Sequence, residues 1–120
     1  MKFPIVNGTY DQAARESFKV NTASAFSWVM AASYCYYHLY ESILEDTTFD
    51  RMMKFLLDNY DNLEHTNKSL ITKEMLAVGS LYNLSVNDYP LRVKISADEL
   101  LRNLLTWKAI NDRDWETSLW

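Results

Sequence analysis

The sequence predicts a mainly α-helical, compact single domain of about five helices, with at most one or two short strands. Three observations lead there. Glycine and proline number only two each in 120 residues, so few turns are forced and elements run long. Apolar residues recur at three- and four-residue spacing through the central segments. Helix-capping residues stand where those patterns begin. Hydrophobic residues at 48% and charged residues at 23% are ordinary for a globular domain. One domain over 1–120 therefore suffices, and a chain of this length builds a core without disulfide or metal staples.

The elements follow in chain order. Residues 1–9 read as loop or extended chain, with Pro4 and the turn pair Asn7-Gly8. Thr9 is placed to cap a short helix near 10–19, with Asp11 in its first turn. Asn21-Thr22 interrupts it. A long helix runs from about Ala23 to Ser42. Phe26, Val29, Met30, Tyr34, Tyr37 and Leu39 form its apolar pattern. Ala23, Ala25, Ala31, Ala32 and Ser33 give a small-residue face that lets a neighbour approach. Asp46-Thr47-Thr48 is a capping cluster for the next helix, about Thr47–Asn62, which is expected to bury Phe49, Met52, Met53, Leu56, Leu57 and Tyr60. These two helices should form a central helix–turn–helix with a tight turn near Glu45-Asp46.

Glu64–Ile71 is a polar loop. Thr72 caps a short helix, about Lys73–Tyr82, closed by Gly79 and Asn83. Ser85–Pro90 is loop, since the residue before a proline avoids helix. Leu91-Arg92-Val93-Lys94-Ile95 alternates with period two and suggests one short strand, whose only candidate partner is Phe3–Val6. Ser96 and Glu99 then make a capping box that opens a helix from Ala97 to about Ile110.

Composition narrows the function classes. The net charge is −4, which disfavours direct nucleic-acid binding through a basic face. Cys35 is the only cysteine, so there is no intrachain disulfide, and a reducing cytoplasmic setting fits. Its simplest role is that of a small buried hydrophobe. One cysteine with His38 and His65 makes a poor zinc set, so no metal is expected. Met1–Tyr10 has no long apolar run, so no signal peptide is expected, and the weakly charged Val20–Leu39 stretch is too polar to span a membrane. Gly8 and Gly79 are too far apart for a phosphate loop. A Cys35–His38 nucleophile pair would lack an oxyanion hole and an orienting third residue. The expectation is a protein that is not an enzyme.

The most informative stretch is Tyr34–Leu57. Helical spacing puts Tyr34, Tyr37, His38 and Glu41 on one face, and Asp46, Phe49 and Asp50 on one face of the next helix. Aromatic rings and carboxylates brought together in this way suit a flat, cationic, hydroxyl-bearing ligand. A purely structural explanation competes with this: the rings as core, Asp46 as an N-cap, and Asp50 with Lys54 as an i, i+4 pair.

The run Tyr37-His38-Leu39-Tyr40-Glu41, followed by Asp46-Thr47-Thr48-Phe49-Asp50-Arg51-Met52, resembles the N-terminal helical domain of bacterial NAD-dependent DNA ligases. Leu63-Glu64-His65 and Leu70-Ile71-Thr72 echo the linker that follows there. The whole chain resembles small ligase-related phage proteins, which keep the helix pair without the enzyme, more than it resembles the ligases. In the ligases this domain grips the nicotinamide mononucleotide half of NAD. The resemblance therefore implies that Tyr37, His38, Asp46 and Asp50 contact a mononucleotide, with NAD or nicotinamide mononucleotide as the candidate cofactor. A ring such as Tyr37 can stack on the pyridinium. The carboxylates can accept hydroxyl or carboxamide hydrogen bonds. Phe49 stands where the family has tyrosine, and the turn is one residue shorter and lacks the family's proline. No lysine here sits in a K-x-D-G motif, and an adenylation domain does not fit in 120 residues, so this chain alone is not a ligase.

The resemblance points to a non-enzymatic phage accessory protein that binds and modulates a host factor, such as a defence or nucleic-acid enzyme, in the host cytoplasm. The alternatives are an NAD or nicotinamide mononucleotide binding module, or an acidic mimic that blocks a nucleic-acid channel. Asp112, Asp114, Trp115 and Trp120 in the acidic, aromatic tail are the candidate partner contacts. Tryptophan is enriched among interface hot spots, and the carboxylates suit a basic partner.

Overall fold

The computed structural model describes residues 10–103. They form five α-helices, and no strand is found among them. The helices are α1 (Asp11–Val20), α2 (Ser24–His38), α3 (Asp46–Asn59), α4 (Lys73–Val78) and α5, helical from 91 through 103. Single 3-10 turns at Tyr60–Asn62, Lys68–Leu70 and Val86–Asp88 punctuate the connections.

Helix α2 is the axis of the fold. Its Ala25, Phe26, Val29, Met30, Ala32 and Cys35 are buried in one core with Met52, Met53 and Leu56 of α3. Leu76 of α4 and Val93 and Ala97 of α5 complete that core. Burial on almost every side explains why α2 carries so few charges. The alanines and Ser33 sit where neighbours press closest, as small side chains allow. Phe49, Leu57 and Tyr60, expected inside, are only half-buried and pack against the core from its edge.

The ends of the helices are fixed by specific bonds. The Asp11 carboxylate, buried at the start of α1, accepts the Glu45 N–H at 2.9 Å. It thus joins the starts of α1 and α3. Glu45, not Asp46, is the N-cap of α3, and Asp46 occupies the first helical position, where its charge opposes the helix dipole. Thr72 caps α4 by accepting the Met75 N–H at 3.2 Å. Gly79 ends α4 at φ 81°, a left-handed conformation that glycine adopts freely. The Tyr60 hydroxyl donates to the Ile71 carbonyl at 2.8 Å and so anchors the connection before α4.

Two expectations are corrected. First, α2 stops at His38 rather than Ser42, so the link to α3 is residues 39–45 and not a tight turn at Glu45-Asp46. The Leu39 and Glu41 N–H groups both bond the Cys35 carbonyl, and Tyr40 turns left-handed at φ 60°. Ile43 and Leu44 are buried, so this link belongs to the core. Second, Leu91–Ile95 is not a strand. The Lys94 N–H bonds the Pro90 carbonyl at 3.1 Å, so α5 has already begun. Pro90 is a natural starter because it has no N–H to satisfy. Val93 and Ala97, one turn apart, are the buried residues. The Ser96–Glu99 pattern therefore falls inside a running helix and caps nothing. The Phe3–Val6 segment lies outside the described residues.

Candidate functional site

Three of the four residues expected to contact a mononucleotide line one cavity. It lies between the C-terminal half of α2 and the start of α3, with a volume of about 190 Å³. Tyr36 and Tyr37 come from α2, and Asp46, Phe49 and Asp50 from α3. The 39–45 link contributes Ser42, Ile43 and Leu44, and Gly79 at the end of α4 closes one side. Asp46 and Phe49 are three apart and Asp50 one turn from Asp46, so α3 presents them as a row.

His38 is not in this set. Its Nε2 lies 3.1 Å from the Leu84 carbonyl. Its ring packs with Tyr34 at 5.4 Å and Tyr89 at 5.5 Å. One residue along a helix is a rotation of about 100°, which separates Tyr37 at the cavity from His38 at the 84–89 connection. Tyr34 goes with His38, four positions earlier on the same face. Asp112, Asp114, Trp115 and Trp120 lie outside the described residues.

Electrostatics distinguish this cavity from a packing defect. Asp46 and Asp50 are exposed, and neither has an ion-pair partner among the described residues. The lysine that spacing offered to Asp50 is engaged elsewhere: Lys54 pairs with Asp58 at 3.5 Å. The other ion pairs are Lys73–Asp61 and Arg102–Asp98. The cavity thus carries two uncompensated carboxylates beside aromatic rings. The Tyr37 hydroxyl is 2.6 Å from Ser80 Oγ, and that contact orients the ring.

Sequence reasoning missed Ser33. It is 2% exposed and lines the cavity, yet its hydroxyl has no hydrogen-bond partner. A buried hydroxyl left unpaired costs about 1–3 kcal/mol. Its place among the small residues of α2 made it look like a packing residue, and only the fold brings it beside Asp46 and Asp50.

Cys35 is not poised for thiolate chemistry. It is fully buried, and its pKa is pushed up to about 12, first by burial and then by the charges of Glu41 and Asp98. Its Sγ lies 4.0 Å from the Ala97 carbonyl. Burial also raises the Tyr89 phenol, whose hydroxyl is unpartnered. No cluster of three metal-ligating side chains occurs among the described residues, and no described helix is long and apolar enough to cross a membrane.

The chain matches no family model, no curated protein and no solved structure. The cavity must be read on its own chemistry.

Proposed function

We propose that this chain is a non-enzymatic binding protein of the phage-accessory kind, acting in the host cytoplasm. Its α2–α3 cavity takes the cationic nicotinamide–ribose end of nicotinamide mononucleotide or NAD. One observation carries the reading: Tyr37, Asp46, Asp50 and the unpaired Ser33 hydroxyl share a single cavity. Two carboxylates without cations favour a positive ligand. Tyrosine rings offer faces to a flat cation. The Ser33 hydroxyl gains a partner when a ribose hydroxyl or carboxamide arrives.

Size limits what enters. At about 190 Å³ the cavity is smaller than the ~300–1,000 Å³ of typical small-molecule sites. One ring with its sugar edge is the fitting unit, with phosphate outside the mouth. Calorimetric titration of the full chain with nicotinamide mononucleotide is expected to show saturable binding. Asp50→Ala should weaken it by roughly 1–3 kcal/mol, the scale of a lost charge-assisted hydrogen bond. Absence of binding at millimolar ligand would remove the reading.

A second reading, modulation of a host protein, is favoured by the rim of the same cavity. Tyr36, Tyr37 and Tyr82 are exposed. The latter two are linked through Ser80, whose Oγ meets the Tyr37 hydroxyl and accepts the Tyr82 N–H. Exposed tyrosines are frequent anchors of protein interfaces. If this reading holds, Tyr36→Ser with Tyr82→Ser loses the host partner in affinity capture, while Asp50→Ala keeps it.

A further inference from the structure

A second cavity lies on the other side of the α3 start and has the opposite charge. It is about 520 Å³ and runs between α1 and α3. Arg15, Phe18 and Lys19 line it from α1, and Thr47, Thr48, Arg51, Met52 and Phe55 from α3. We propose that this groove binds a phosphate monoester carried on a flat aromatic group, the chemistry of a mononucleotide.

Charge is the first ground. Arg15, Lys19 and Arg51 converge on one groove with no carboxylate in its lining, on a chain of net charge −4. None of the three forms an ion pair among the described residues. Arg15 and Lys19 are i, i+4 neighbours on α1, so the helix places both on one face. Among the described residues, Arg15 makes one polar contact, a long hydrogen bond of 3.4 Å to the buried Thr48 Oγ1. That contact leaves the rest of the guanidinium fork for a phosphate, which arginine recognises by paired N–H donors.

The second ground is the aromatic lining. Phe18 and Phe55 meet edge to face at 4.7 Å, and both are only partly buried. Two rings and three cations lining one groove suit a ligand with a planar ring at one end and a dianion at the other. The volume falls in the range of small-molecule sites. Inorganic phosphate alone would leave the rings unused, and a neutral nucleoside would leave the cations unused.

This site is independent of the α2–α3 cavity. Titrations of the full chain with AMP, adenosine and inorganic phosphate, followed by nuclear magnetic resonance, test it. AMP is expected to bind at least about tenfold more tightly than either fragment, and more weakly as salt rises. Arg15→Gln and Arg51→Gln should each weaken AMP about tenfold or more, the scale of a lost charge-assisted bond; the melting temperature should be unchanged in Arg51→Gln, whereas Arg15→Gln also removes the partner of the buried Thr48 hydroxyl. Asp50→Asn should leave AMP binding intact. The proposal is overturned if AMP fails to bind at millimolar concentration, or if phosphate binds as tightly as AMP. It is equally overturned if the Arg15→Gln, Arg51→Gln double variant binds AMP like the parent.

Discussion

Tyr40 holds the most costly backbone conformation among the described residues. It stands at φ 60° and 86% exposed, just beyond the end of α2. A left-handed residue with a Cβ costs about 1–2 kcal/mol, and no packing by this side chain offsets it. Tyr40→Gly is expected to raise unfolding stability by about 0.5–1 kcal/mol, less than the full strain because glycine loses more chain entropy on folding. Chemical denaturation measures this, and a loss of stability would show that the ring has a structural partner. His65 gives a second test. Its Nδ1 accepts the Asn67 N–H at 3.0 Å, which leaves the proton on Nε2 to be donated to Ser27 Oγ at 2.9 Å. Burial lowers its pKa. The unfolded chain therefore takes up the proton first as pH falls through about 6.5. Stability should drop below that pH, with no contribution from His65 above it. The denaturation midpoint is expected to fall between pH 7.5 and pH 5.5, and His65→Gln should flatten that slope. An equal slope in both proteins would place the effect elsewhere.

At the scale of elements, the sequence was legible where apolar spacing and caps agreed. The segments of α1 and α3 fall close to where the pattern put them, and Thr72 caps α4 as its position implied, although α4 ends at Val78 rather than Tyr82, where Gly79 turns left-handed. Two elements were misread, each for its own reason. In 91–95 the two-residue alternation hid the wider spacing of Val93, Ala97 and Leu101. In 39–45 there was no glycine to mark the turn, because tyrosine occupies the left-handed position. Residues 39–42 then looked like helix although they belong to the link, whose Ile43 and Leu44 are buried. The α5 assignment has a sharp consequence. Val93 is 7% exposed and Ile95 50%, whereas a strand would put both on one face. Val93→Asp should cost about 2–4 kcal/mol by burying an unpaired charge. Ile95→Asp should cost about 0.5 kcal/mol or less, as surface changes do. Equal losses would argue for the strand.

For the whole molecule, the fold class was written in composition and periodicity, but the site was written only in part. Tyr37, Asp46 and Asp50 could be named because helical spacing aligns them. His38 could not be excluded, since which way α2 is rotated depends on the 84–89 connection that receives its ring. Ser33 could not be found, because an unpaired hydroxyl exists only once the core closes around it. The groove with Arg15, Lys19 and Arg51 joins residues far apart in sequence, and no motif announces it. The result is a helix, α3, whose first turns carry an anionic cavity on one side and a cationic groove on the other. The central claim is that the anionic cavity is a ligand site. Amide chemical-shift mapping of the full chain during titration with nicotinamide mononucleotide tests it most directly. The account expects saturable shifts concentrated at Ser33, Tyr37, Asp46, Asp50 and Gly79. Shifts absent at saturating ligand, or confined to residues away from this cavity, would contradict it.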